Sequence, residues 1–192
     1  MIEIKTQAEI ESMRKASRVV AEVLFQLRSR VKPGVSTAEL DKFAEKNVRE
    51  MGAVPAFLGY RGYPAALCVS INEEIVHGIP SSRRVIREGD IVSLDMGAVC
   101  DGFYGDAAVT VAVGEISGPA RRLLDVTSRA LGMALSEVKA GARLGDVSHA
   151  VEKYALENGM SVVREFTGHG IGRHLHEEPS IPNFGEPGSG PA

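Results

Sequence analysis

The 192-residue chain is short of several things, and each shortage removes a class of function. It has two cysteines, Cys68 and Cys100. These are too few for a disulfide framework and lack zinc-site spacing, so they read as buried free thiols in a reducing, cytoplasmic compartment. No apolar run approaches membrane-spanning length, and the amino-terminal MIEIKTQAEIE is charged from its third residue, where a signal peptide would carry an apolar core. A net charge of only −3 gives no electrostatic case for nucleic-acid specificity or for an anionic membrane. What remains, 44% hydrophobic and 24% charged residues with 21 glycines and 9 prolines, is an ordinary soluble globular composition, long enough for a sizeable core. A monomer is expected.

Four amphipathic helices are predicted. Over 7–30, Ile10, Met13, Val20, Leu24 and Leu27 recur at helical spacing until VKPG (31–34) breaks the pattern. Ser36 and Glu39 form a capping box for a second helix, with Leu40, Phe43, Ala44, Val48 and Met51 on one face and Gly52 at its end. A third helix over 118–137 carries Leu123, Leu124, Val126, Ala130, Leu131, Ala134, Leu135 and Val138; a fourth over 145–158 ends at Gly159. These stripes read as core. Between the second and third helices, a loop over 56–64 leads into strand-like segments at 66–72 and 75–80.

An internal repeat organises these helices. VKPG at 31 recurs as VKAG at 138, and the same offset of 107 matches Glu45, Lys46, Glu50 and Gly52 to Glu152, Lys153, Glu157 and Gly159. The repeat, 31–52 and 138–159, suggests a duplicated α/β half-domain rather than a solenoid, because there are only two copies. The chain ends before second copies of Asp95 and Asp106 would appear, so an incomplete second half is expected. The final GEPGSGPA reads as an interrupted loop.

The stretch from Asp90 to Val113, DIVSLDMGAVCDGFYGDAAVTVAV, is two β-rich segments around Asp101-Gly102, a strong hairpin signal. With those two residues at the turn, Asp95 faces Ala108 and Asp106 faces Gly97. Both acids then lie on one face as diagonal neighbours, among Ser93, Gly97, Ala108 and Thr110. Val92, Leu94, Met96, Ala107, Val109 and Val111 lie on the other, core-seeking face. Two acids amid small residues fit either a solvated hairpin face or a divalent-metal site, since carboxylate oxygens suit such ions.

Tyr60 and Tyr63, flanking Arg61-Gly62, read as pocket walls or as ordinary loop tyrosines, and His77 as ligand or structural residue. Three of the five histidines fall in TGHGIGRHLHEEP (167–179), where Gly168, Gly170 and Gly172 argue against a regular element and allow close backbone approach. His169 and His176 would project into a site, giving with the acids a mixed N/O donor set for Mn, Fe, Co or Zn. His174 and His149 have no comparable case and are expected to be solvated.

Three blocks, GYRGYPAALCVSINEEIVHGIP, DIVSLDMGAVCDGFYGDAAVTVAVG and EFTGHGIGRHLHEEPSIPNFG, resemble the bacterial type I methionine aminopeptidases in order and spacing. The likeness runs from about residue 2 to 192. It implies an α/β (α+β) "pita-bread" fold: duplicated helix-flanked halves, related by a pseudo-twofold, around a curved antiparallel sheet. On this basis residues 1–192 are a single metallo-aminopeptidase domain lacking its C-terminal strands. The implied activity is metal-dependent removal of initiator methionine from nascent chains, favouring small second residues. The implied partners are nascent N-termini and the ribosome, not membranes.

The resemblance assigns Asp95, Asp106 and His169 as ligands of two divalent ions (Co, Mn, Fe or Zn), His176 as oxyanion donor and His77 as holder of the leaving-side amide. Tyr60, Tyr63 and Cys68 match the methionine pocket, with Phe57 and Leu175 standing where bacterial members often carry a cysteine and a phenylalanine. Two C-terminal glutamate ligands of the family lie beyond residue 192, so weakened or partial metal binding is expected, and the activity of the 192-residue chain is left open between an active and an inactive form. The alternatives are a non-catalytic peptide-binding module on this fold and a relative of the Xaa-Pro dipeptidases.

Overall fold

The structure, a computed structural model, describes residues 2–192. Residues 3–117 with 171–176 form one compact unit; Ile2, 118–170 and 177–192 form a second.

In the first unit, α1 (Gln7–Arg28) starts at a capping box of Thr6 and Glu9, and α2 (Thr37–Glu50) at the predicted box of Ser36 and Glu39. Each box satisfies backbone donors that a helix start leaves without partners. The α1 stripe is buried from Ala16 onward, through Val20, Leu24 and Leu27. Ile10, in the first turn of α1 and expected in the core, is exposed, as is Met51 at the C-cap of α2; the buried residues of both helices lie further in from these ends.

The sheet is antiparallel and centred on β3 (Ile91–Cys100). Along its whole length β3 pairs with β4 (Phe103–Ala112); its other edge pairs with β1 (Val54–Pro55) and β2 (Leu67–Ile71). Asp101 (φ 51°) and Gly102 (φ 78°) both adopt the left-handed conformation that a two-residue hairpin turn requires. Ten successive pairs, from Ile91↔Ala112 to Cys100↔Phe103, hold the predicted register without a bulge. Leu67 and Val69 of β2 with Val92, Leu94, Met96 and Ala98 of β3 are buried in the cluster that α1 and α2 close. Ala107, expected on that buried face, is exposed: β4 is the outer strand, and although α1 lies directly on it at Gly105, the cover does not extend over Ala107.

The segment 75–80 is not a strand. His77 turns the chain with φ 62°, and only Gly78 follows the edge of β2, accepting from Val69 N at 2.8 Å and donating to Ser70 Oγ at 3.1 Å. A Cβ at position 78 would stand 2.2 Å from the Val69 carbonyl oxygen, so this approach needs glycine.

In the second unit, α3 (Gly118–Glu137) packs against α4 (Leu144–Glu157). Helices α2 and α4 are both 14 residues long, each bound of α4 lies 107 positions after that of α2, and Gly52 and Gly159 follow them with φ of 76° and 69°. Half of the α3 stripe is not core. Val126, Ala130 and Ala134 are buried against α4, whereas Leu123, Leu131, Leu135 and Val138 are 44–65% exposed, because they lie outside the strip that α4 covers.

The glycine-rich segment is more regular than expected: β5 (Gly168–Gly170) pairs antiparallel with β6 (Glu177–Ile181), with a register shift between His169 and Gly170. A Cβ on Gly170 would lie 2.4 Å from the Glu178 carbonyl oxygen, so glycine is what permits the pairing. The last residues form a loop tied to the start of α4, whose Leu144 and Gly145 N–H groups donate to Pro191 O (2.9 Å) and Ser189 O (3.0 Å). His149, expected to be solvated, is half-buried with Nδ1 3.2 Å from Gly185 O in the same loop. Among the described residues, no helix is long and apolar enough to cross a membrane.

Candidate metal centre and substrate pocket

Period-two alternation puts Asp95 and Asp106 on the sheet face opposite α1 and α2, at Asp95↔Ala108 and Gly97↔Asp106. The two carboxyl groups hydrogen-bond to each other. Burial pushes the Asp106 carboxyl up to about 6, while the bond from Asp95 acts the other way. A hydrogen bond between two carboxyl groups requires a proton held by the pair. A divalent cation would replace that proton and offset the burial of both charges, so this donor pair fits such an ion. Among the described residues, no group of three or more His, Cys, Asp or Glu side chains is assembled to hold a metal. His169 lies in the second unit. Its Nδ1 is 3.0 Å from Gly170 O, and because a carbonyl only accepts, the proton is on Nδ1 and the Nε2 lone pair is of the kind metals take.

The same sheet face carries an apolar cluster separate from the main core. Ala56, Phe57, Cys68 and Leu175 are buried together, with Tyr60, Tyr63, Val99, Tyr104 and Ile171 packed against them. Two contacts join this cluster to the acid pair. Cys68 is the cross-strand partner of Asp95. Gly97, the partner of Asp106, lies so close under Phe57 that a Cβ there would stand 2.9 Å from the ring. Burial pushes the Cys68 thiol up to about 11, with both acids adding to the shift, so it is a neutral, apolar wall. The Tyr63 hydroxyl lies 3.1 Å from Leu67 O and 3.2 Å from Gly78 O, tying β2 to the turn that carries His77.

His77 and His176 are both exposed. A positive φ on a non-glycine residue such as His77 is a strained conformation of the kind found at functional sites. His176 ends the segment 171–176, which Tyr104 N anchors by donating to Gly172 O at 2.8 Å, and its Nδ1 is 2.9 Å from the Tyr60 hydroxyl. The structure thus brings together Asp95 with Asp106, the five apolar-pocket candidates, and Tyr60 with His176.

The model of metallopeptidase family M24 matches residues 11–191. The chain belongs to metallopeptidase family M24, as one of its type I methionine aminopeptidases. It is 49% identical over 191 residues to the methionine aminopeptidase of Clostridium acetobutylicum, covering 100% of this chain and 76% of that protein. The solved methionine aminopeptidase of Thermotoga maritima superposes with a TM-score of 0.97 at 47% identity, over 99% of this chain and 76% of that one. The Xaa-Pro dipeptidase of Bacillus anthracis has the same fold at greater distance: TM-score 0.83, 27% identity, 97% of this chain and 56% of that one. The fold is therefore the pita-bread fold of the M24 family, of which this chain spans about three quarters of its methionine aminopeptidase relatives' length.

Within that family fold, two side chains support the site without a signal in the sequence. Asp41 of α2 accepts from Ala66 N (2.9 Å) and Leu67 N (3.0 Å) at the entry to β2, one residue before Cys68. Arg84 reaches Val69 O and Ile79 O while paired to Glu74, bracing the turn around Gly78. Each sits on a polar stretch that periodicity assigns to solvent; only their through-space partners reveal them.

Proposed function

We propose that the chain removes N-terminal methionine from nascent polypeptides, with preference for small second residues, as a divalent-metal aminopeptidase of the reducing cytoplasm. One observation carries this reading: the half-buried acid pair and the apolar cluster adjoin on a single sheet face, through Cys68–Asp95 and Phe57–Gly97–Asp106. An exopeptidase for methionine needs that adjacency, because an apolar side-chain pocket must sit beside the groups that act on the first peptide bond.

In this proposal Asp95 and Asp106 hold the metal. His169 is the nitrogen ligand that the family motif implies, an assignment made on the motif match. Bound divalent ions of this class supply an activated water and polarise the scissile carbonyl. Phe57, Tyr60, Tyr63, Cys68 and Leu175 receive the unbranched, polarisable methionine side chain. His77 holds the scissile amide on its leaving side, and His176 donates a hydrogen bond to the carbonyl oxygen as it gains charge. The two units act as one metallopeptidase domain derived by duplication, a reading that the matched α2 and α4 bounds support.

The test is release of methionine from Met-Ala-Ser by the chain with Mn²⁺ or Co²⁺, alongside calorimetric metal titration. Turnover and metal binding should both fall at least a hundredfold in Asp106→Ala, and His169→Ala should weaken metal binding. Cleavage of Ala-Pro but not Met-Ala-Ser would make the chain a Xaa-Pro dipeptidase. Peptide binding that persists in EDTA and in Asp106→Ala, without turnover, would make it a binding module.

A further inference from the structure

Tyr60 does more than line the apolar cluster. Its hydroxyl oxygen lies 2.9 Å from His176 Nδ1, and the rings face each other at 5.5 Å between centroids and 21° between planes. We propose that Tyr60 is a positioning residue for His176: its hydroxyl donates to Nδ1, holds the imidazole as the Nε2–H tautomer and keeps the ring in one orientation. The proposal rests on the reading of His176 as donor to the substrate carbonyl oxygen.

A neutral imidazole has one donor and one acceptor nitrogen, and the partner of one nitrogen decides the state of the other. An imidazole lone pair is a far better acceptor than a phenol oxygen, and a phenol is a good donor, so the proton between Tyr60 and Nδ1 belongs to the tyrosine. The Arg61 guanidinium, 5.4 Å from the centroid of the Tyr60 ring, draws electron density from it and favours donation. With Nδ1 accepting, Nε2 carries the proton. That tautomer is the one needed: the opposite one would aim a lone pair at an oxygen gaining negative charge.

Both partners are held independently of their mutual bond. Tyr60 opens a single 3-10 turn, Tyr60–Gly62, closed by Gly62 N→Gly59 O (3.2 Å) and Tyr63 N→Tyr60 O (2.9 Å) and spanned by Gly59 N→Tyr63 O (2.8 Å), with Arg61 at φ 48°. A non-glycine residue stays in that conformation only where its surroundings over-determine it. On the other side, Arg173 pairs with Glu9 at 2.7 Å and lies over the Phe103 ring, and Leu175 is buried beside Phe57. His176 is thereby delivered to Tyr60 by a braced segment.

The experiment compares wild type with Tyr60→Phe, which keeps the ring and removes the hydroxyl. In long-range ¹H–¹⁵N spectra of the metal-free protein, wild-type His176 should give a single Nε2–H tautomer with a hydrogen-bonded Nδ1. Tyr60→Phe should shift the Nδ1 signal and yield mixed tautomers, whereas Tyr63→Phe should leave it in place. In the metal-loaded enzyme, Tyr60→Phe should lower kcat about tenfold with KM within about twofold. A wild-type Nδ1–H tautomer, or signals unchanged in Tyr60→Phe, overturns the proposal. So does a rise in KM at constant kcat, the mark of a pocket wall only. Full turnover in His176→Ala with the spectra as expected would instead overturn the carbonyl-donor reading of His176, leaving the hydrogen bond itself established.

Discussion

Asp41 accepts two backbone hydrogen bonds, yet burial raises its carboxyl above the usual value, outweighing the two donors that lower it. The folded chain therefore keeps this proton at pH values where the unfolded chain has lost it. Its contribution to stability is full at low pH and is lost as pH rises through the folded value. Asp41→Asn retains an acceptor oxygen and cannot ionise, so its stability relative to wild type should grow as pH rises from about 4 to about 7 in urea unfolding. Asp41→Ala leaves two buried N–H groups without an acceptor and should cost about 2 kcal/mol or more throughout. Phe57 and Leu175 make a second residue-scale case, being only 9% and 3% exposed in one cluster. They put a large and a smaller side chain in the same small cluster. Phe57→Cys should cost about 3 kcal/mol through the cavity it leaves, and Leu175→Phe about 1–3 kcal/mol through overpacking. The double variant should be less destabilised than the sum of the two by about 1 kcal/mol or more, in a double-mutant cycle read by denaturant unfolding.

At the scale of elements, the turn and register of the hairpin are legible in the sequence alone. An Asp-Gly turn and period-two alternation leave one register that buries Val92, Leu94 and Met96, and that register also sets Asp95 diagonal to Asp106. The capping box of α2 was legible for the same local reason, since Ser36 and Glu39 satisfy each other's backbone within one turn. How α1 meets the hairpin was not. A Cβ on Gly105 would sit 2.6 Å from Ser17 N, so the helix rests directly on the strand backbone. Gly105→Ala should push α1 outward and lower stability by roughly 2 kcal/mol. Thermal denaturation checks this, and a melting temperature unchanged from wild type would contradict the close contact. The 75–80 segment marks the opposite limit. Its composition suits a strand, but the positive φ of His77 and the hold of Gly78 on β2 are tertiary demands that override local preference.

At the scale of the whole molecule, the exposed side of α3 is the largest departure from the sequence reading. Leu123, Leu131, Leu135 and Val138 repeat at helical spacing, and periodicity alone assigns them to a core, yet they face outward. The 192-residue chain should therefore enhance ANS fluorescence. Leu131→Glu combined with Leu135→Glu should reduce that signal while leaving stability within about 0.5–1 kcal/mol of wild type; fluorescence unaffected by the pair would place the dye elsewhere. What the sequence determined by itself was local or periodic: helix starts, the turn, strand alternation, the 107-residue repeat, and three motif blocks specific enough to name a family. These follow from hydrogen bonds and side-chain directions set within a few residues. Only the tertiary structure decided which apolar side chains found cover, that Asp41 clamps β2, that Phe57 lies over Gly97, and that Tyr60 meets His176 across 116 positions of chain. Such contacts depend on how packed elements converge, and spacing along the chain carries no record of that.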